Sequence, residues 1–153
     1  MRLSELEKQE YADWARQVLA DGHLARHEFR RVGLLPQRVL HDRDVSKIGV
    51  EVADIEISDY LLRHGYRSSK EVRGASLCIE DLAYLPDRLE AAKWFFDPKH
   101  GNVIAFFDIN DQVMVGKAVV HFKYMRKGKG HNAVITTGIV RRANIQDGGK
   151  RHL

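Results

Sequence analysis

The sequence holds a single cysteine, Cys78, so it cannot form an internal disulfide and has no partner for a zinc-type pair. A reducing, intracellular setting is the expectation. No apolar run approaches the ~20 residues that a membrane-spanning helix requires. The first residues, Met1-Arg2-Leu3-Ser4-Glu5-Leu6-Glu7-Lys8, are too charged for a secretory leader. Familiar catalytic signatures are missing as well. There is no glycine-rich phosphate loop, no dinucleotide fingerprint and no Gly-x-Ser-x-Gly elbow. The eight histidines never form a His-Glu-x-x-His zinc pair. For an enzyme, chemistry without metal or cofactor is the simplest option left. No internal repeat or low-complexity segment is present.

What is there fits one domain. A chain of 153 residues with 44% hydrophobic and 30% charged residues can bury a core without staples. The net charge of +4 conceals an asymmetry. Nine lysines and arginines face one acid, Asp147, between Val115 and Leu153, a net +8 that leaves −4 for residues 1–114. Segregated charge of this kind suits a polyanion, although a solubilising face with a frayed tail would carry it equally well.

The first element is a helix. Ser4 and Glu7 have capping-box spacing, and Leu6, Tyr11, Trp14, Val18 and Leu19 recur at helical intervals up to Asp21-Gly22. A second helical stretch is expected over Leu24–Val32, with one further turn over Gln37–His41. Val50–Val52 and Ile55–Ile57 read as short extended pieces, and Ser58 caps a helix that ends near Gly65. Ile79–Ala92 is helical by pattern, bent or split at Pro86. Beyond Ala92 come apolar runs separated by turns: Lys93–Asp97, Val103–Ile109, Val113–Met125 and Asn132–Arg142. The reading is an α+β fold, with N-terminal helices packed on a roughly four-stranded antiparallel sheet from the C-terminal third. Residues 1–145 form the domain, 1–45 its helical lead-in, and 146–153 a disordered basic tail.

The third of these strands alternates Ala118, Val120, Phe122 and Tyr124 with Lys117, Val119, His121 and Lys123. One row suits the core and the other an open, cationic floor. In the last strand, Ile135 and Ile139 inward would turn Asn132, Thr136 and Arg142 out. Val134 and Val140 inward would turn Thr137 out instead. The stretch around His64, Arg67 and Lys70 brings a base together with cations at every third position. Histidine moves protons near neutral pH, and arginine and lysine offset charge growing on a phosphate. A helix-ending histidine beside solvated cations would read the same way. The loop Arg126–His131 adds Lys127 and Lys129 as mobile donors, and it would serve equally as a plain solvated turn.

These features, in this order, resemble the C-terminal nuclease-like domains of phage minor head proteins of the Mu F type, in the barnase–EndoU–colicin–RelE-like group. The resemblance covers about Ile55–Asn144. It rests on Ile55-Glu56-Ile57-Ser58, His64-x-x-Arg67-x-x-Lys70, Leu82-x-x-Leu85-Pro86-x-x-Leu89, Lys117-Ala118-Val119-Val120 and Asn132-Ala133-Val134-Ile135-Thr136-Thr137. The resemblance implies helices on a four-stranded antiparallel sheet with the site on its open face. It matches His64 and Lys70 to helix-side polar positions and Thr136 or Thr137 to a final-strand position.

The combined expectation is a metal-independent endoribonuclease-like effector of phage or prophage origin that uses no cofactor. It would be cytoplasmic in a bacterial host or virion-associated, and it would make no membrane contact. His64 would act as acid or base, Arg67 and Lys70 would hold phosphate, and Thr136 or Thr137 would position it. Lys117, His121, Lys123, Lys127, Lys129 and Arg142 would line the path of single-stranded RNA or tRNA. Two alternatives stand beside this: a non-catalytic nucleic-acid- or capsid-binding module of a phage head protein, and an interaction domain of a polymorphic toxin system with a cognate immunity protein.

Overall fold

The computed structural model describes residues 2–21, 27–66, 76–126 and 129–153, and of 123–126 and 129 it describes the backbone alone. Helix α1 (Glu5–Asp21) opens with the capping box: Ser4 Oγ accepts from the Glu7 N–H at 3.1 Å, and Glu7 Oε1 accepts from the Ser4 N–H at 3.3 Å. Tyr11, Trp14, Ala15 and Val18 form its buried stripe. Lys8 is buried as well, held by Glu90 at 2.9 Å and Asp87 at 3.0 Å, and these carboxylates push its ammonium above the ordinary lysine range.

Strand β1 (Phe29–Leu34) takes the last four residues of the stretch 24–32 expected to be helical, of which 24–26 lie outside the described residues. Its residues satisfy their backbone groups by pairing antiparallel with β2 (Asp54–Ser58), and that tertiary pairing overrides a weak local helical pattern. Between them lie α2 (Gln37–Leu40) and α3 (Arg43–Ile48). Asp42 caps α3 by accepting from the Asp44 and Val45 N–H groups, and Gly49 closes it at φ 81°. Ser58 caps α4 (Asp59–Gly65) through the Leu61 N–H. Helices α5 (Ile79–Ala83) and α6 (Leu85–Glu90) are the two halves that Pro86 separates, with proline in the first turn of α6.

The remaining strands are β3 (Lys93–Asp97), β4 (Asn102–Asp108), β5 (Met114–Arg126) and β6 (Lys129–Arg141), with β7 (Arg151–His152) at the end. β3 to β6 run as an antiparallel meander within a larger mixed sheet of order β1-β2-β6-β5-β4-β3-β7. The chain is thus α+β, with seven strands among the described residues where four were expected. The extra strands are β1 and β2, which precede the meander, and β7, which follows it. β2 contains the expected extended piece Ile55–Ile57, and it joins β6 in parallel through only two residue pairs, Ile55–Asn132 and Glu56–Ala133.

The stretch 146–153, expected to be disordered, is instead tied down. Arg151 bonds Asp42 and Asp44 at 2.8 Å each, the Leu153 N–H donates to the Trp94 carbonyl, and His152 stacks on Phe95. The arginine that made this stretch look like a solvated tail is the one that anchors it.

Helices cover one face of the sheet. Ala118, Val120 and Phe122 point into that core with Trp94, Val103, Ala105 and Val134. The other face carries a smaller apolar cluster, Phe95, Ile104, Phe106 and Val115, over which Ile145 folds. That cluster occupies only the half of the face nearest β3. The half nearest β2 is where the polar residues gather. Among the described residues no helix is long and apolar enough to cross a membrane.

Candidate functional site

The register of three strands builds the site. Glu56 on β2 pairs with Ala133 on β6, and Ala133 pairs with His121 on β5, so these three form a row across the sheet. Ile55 and Val120 point into the helix-side core, so alternation turns Glu56 and His121 to the opposite face. His131 lies two residues before Ala133 on that same face, and its Nδ1 sits 2.7 Å from Glu56 Oε1. His121 pairs with Ala133 and His131 with Tyr124, so the two histidines lie on adjacent strands with a register shift between their pairs.

A cleft of about 500 Å³ opens beside this pair, lined by Glu51, Val52, Asp54, Glu56, Gly130, His131 and Asn132. Asn132 holds its wall in place. The side chain is 3% exposed, and its Nδ2 donates to the Val52 carbonyl at 2.6 Å and the Asp54 carbonyl at 3.0 Å. It thereby extends a parallel ladder that backbone alone sustains over two residues. The carboxylates are mostly compensated. Arg31 pairs with Asp54 at 3.2 Å and also with Glu7, while His131 answers Glu56. With Glu56 accepting from Nδ1–H, Nε2 of His131 is left as the basic nitrogen.

The residues expected from sequence divide between the two faces. Lys117 and His121 are half-buried on the face opposite the helices, and Thr136, opposite Val119, is exposed on that side. A bulge that sets Val119 against Thr136 and Val120 against Val134 places Ile135 out of register, so neither simple inward parity describes the strand. Thr137 is turned to the helix side, where it is 3% exposed and touches Gly65: a Cβ built on that glycine would meet Thr137 Oγ1 at 2.8 Å.

His64 belongs to that second group. It is exposed on α4, its ring parallel to Tyr60 with centroids 5.7 Å apart. Arg67, Lys70 and Lys127 lie outside the described residues, as do the side chains of Lys123 and Lys129. Arg142 lies just past the far end of β6, bound to Asp108 at 3.0 Å and close to the Gln112 carbonyl. The expected set is therefore not one site.

Glu56 and His131 escaped the sequence reading. His131 was placed in a loop, whereas β6 begins at Lys129. Glu56 stood between two buried isoleucines, which marks an outward residue and nothing more. Only the parallel pairing of β2 with β6 joins them, and no local pattern announces it.

No protein-family model, curated protein or solved structure matches the chain. What the fold and the cleft define is a class: an α+β domain bearing a carboxylate-paired histidine, with a second histidine on the same face, on the β2 side of a mixed sheet.

Proposed function

We propose that this chain is a metal-independent endoribonuclease-like domain that works on the sheet face opposite its helices, with His131, Glu56 and His121 at its centre. The observation that carries the reading is the 2.7 Å pairing of His131 with Glu56 in an open cleft, with His121 on the same face. Two histidines so arranged can serve the two proton transfers of an RNA transesterification. His131 Nε2 takes the proton of the 2′-hydroxyl, and the 2′-oxygen bonds to phosphorus. The 5′-oxygen leaves with a proton from His121, giving a 2′,3′-cyclic phosphate and a 5′-hydroxyl end. Lys117, two residues from Val119 along the same row, supplies positive charge near the phosphate path. The positive charge concentrated in residues 115–153 and the resemblance to phage nuclease-like domains favour the same substrate class.

The test is cleavage of a mixed RNA pool, tRNA included, in the presence of a chelator. Cyclic-phosphate ends on RNA, and an intact DNA strand of the same sequence, are expected, because DNA lacks the attacking hydroxyl. RNA that binds with a steep salt dependence yet stays intact would instead indicate a non-catalytic nucleic-acid-binding module.

A further inference from the structure

We infer that the cleft bounded by Glu51, Val52 and His131 is a nucleobase subsite that selects bases carrying an exocyclic amino group; this rests on the reading of the same face as an RNA site. The cleft adjoins the His131–Glu56 pair, so a nucleotide flanking the reacting phosphate would reach it. Its size falls within the range of small-ligand sites.

Three features specify what fits. Val52 is 49% exposed although Val50, two residues earlier, packs on the core, so the chain presents an apolar side chain to the cleft. That surface suits the face of a planar ring. Asn132 fixes the wall through the Val52 and Asp54 carbonyls, so the shelf is formed before anything binds.

The third feature is Glu51. Asp54 is committed to Arg31 and Glu56 to His131, but Glu51 makes no hydrogen bond or ion pair among the described residues. A carboxylate in the lining of the cleft repels a phosphate. It accepts readily from an amino N–H, the pairing by which acidic side chains read cytosine. Bases of a single strand can splay out and offer that edge, whereas uracil would turn a carbonyl oxygen toward the carboxylate. The phosphates then run along the row of His121 and Lys117 while the base turns into the cleft.

Short 2′-O-methyl oligonucleotides of adenine, cytosine or uracil, which cannot be cleaved, separate the possibilities by fluorescence anisotropy. The adenine and cytosine strands are expected to bind about tenfold tighter than uracil, the low end of one base-edge contact. Glu51→Ala should level the three affinities and leave the salt slope unchanged, since no phosphate contact is removed. Glu51 is exposed, so the variant should melt like the parent. Equal binding of all three strands by the parent, or a preference that survives Glu51→Ala, overturns the subsite and leaves the RNA reading standing. Failure of every strand to bind at low salt overturns both.

Discussion

Thr136 and Thr137 are neighbours in the chain, yet they belong to different environments. Thr136 is exposed on the open sheet face, opposite Val119 and on the side of Lys117 and His121. Thr137 is buried under the C-terminal end of α4, close enough to Gly65 that no methyl fits between them. One step along a strand separates a group that can meet a polymer from a group that fastens a helix. His64 falls with the second and His121 with the first. The comparison teaches that polar residues gathered from sequence must be sorted by face before they are given a common task.

The largest effect should come from testing the two sides against each other. If the open face is the centre, His131→Ala and His121→Ala should each lower RNA cleavage by ~10²–10⁴, the usual worth of a positioned acid or base. His64→Ala should leave the rate unchanged. Single-turnover cleavage of a labelled RNA measures all three, and the reverse ranking would move the centre to α4.

Glu56→Gln sharpens the assignment within the open face. The substitution keeps the shape but removes the charge that orients His131, and an orienting carboxylate can be worth up to ~10⁴ in rate. A loss of about 10²-fold, with an unchanged melting temperature, is expected. A rate equal to the parent's would mean that the pair only joins β2 to β6.

On the helix side, Gly65→Ala should act on stability. The added methyl must displace Thr137 or lift α4, and overpacking of this kind costs about 1–3 kcal/mol. Urea unfolding gives the loss. Cleavage per folded molecule should persist, because nothing on the open face is touched.

Much of the architecture was legible in the sequence. The capping box of α1, the Ser58 cap, the break at Pro86 and the turns of the meander are local, and local chemistry wrote them. The inward row Ala118, Val120 and Phe122 followed from period-two alternation. Three features were not legible because they depend on distant partners. β1 is a strand only because β2 lies beside it. The Glu56–His131 pair exists only because two residue pairs join β2 to β6. The bulge at Ile135 changes the face of every residue after it, so the last strand could not be assigned by parity alone.

The smallest effect concerns the edge of the sheet farthest from the His131 cleft. There the chain's last residues, Arg151–His152, form the edge strand β7 beside β3, and Arg151 is their anchor, bonded to Asp42 and Asp44. The Arg151 guanidinium holds the Asp42 carboxyl below the ordinary aspartate range; burial works the other way, and the Val45 and Asp44 N–H groups add to the lowering. A carboxyl whose value is depressed in the folded chain stabilises it above the unfolded value, near pH 4, and that contribution is lost as pH falls through the folded value. Arg151 is 40% exposed at its side chain, so solvent screens the pairing. Arg151→Ala is therefore expected to lower stability by only about 0.5–1 kcal/mol at neutral pH. The difference between variant and parent should shrink as the solution is acidified. Protection of the Leu153 amide, whose N–H donates to the Trp94 carbonyl, should fall relative to its intrinsic exchange rate in the variant at neutral pH and in the parent only in acid. Cleavage at neutral pH should not change, because β7 lies at one edge of the sheet, beyond β3, and the His131 cleft lies at β2 and β6. A rate that changed on release of β7 would show that this edge of the sheet also takes part in holding RNA.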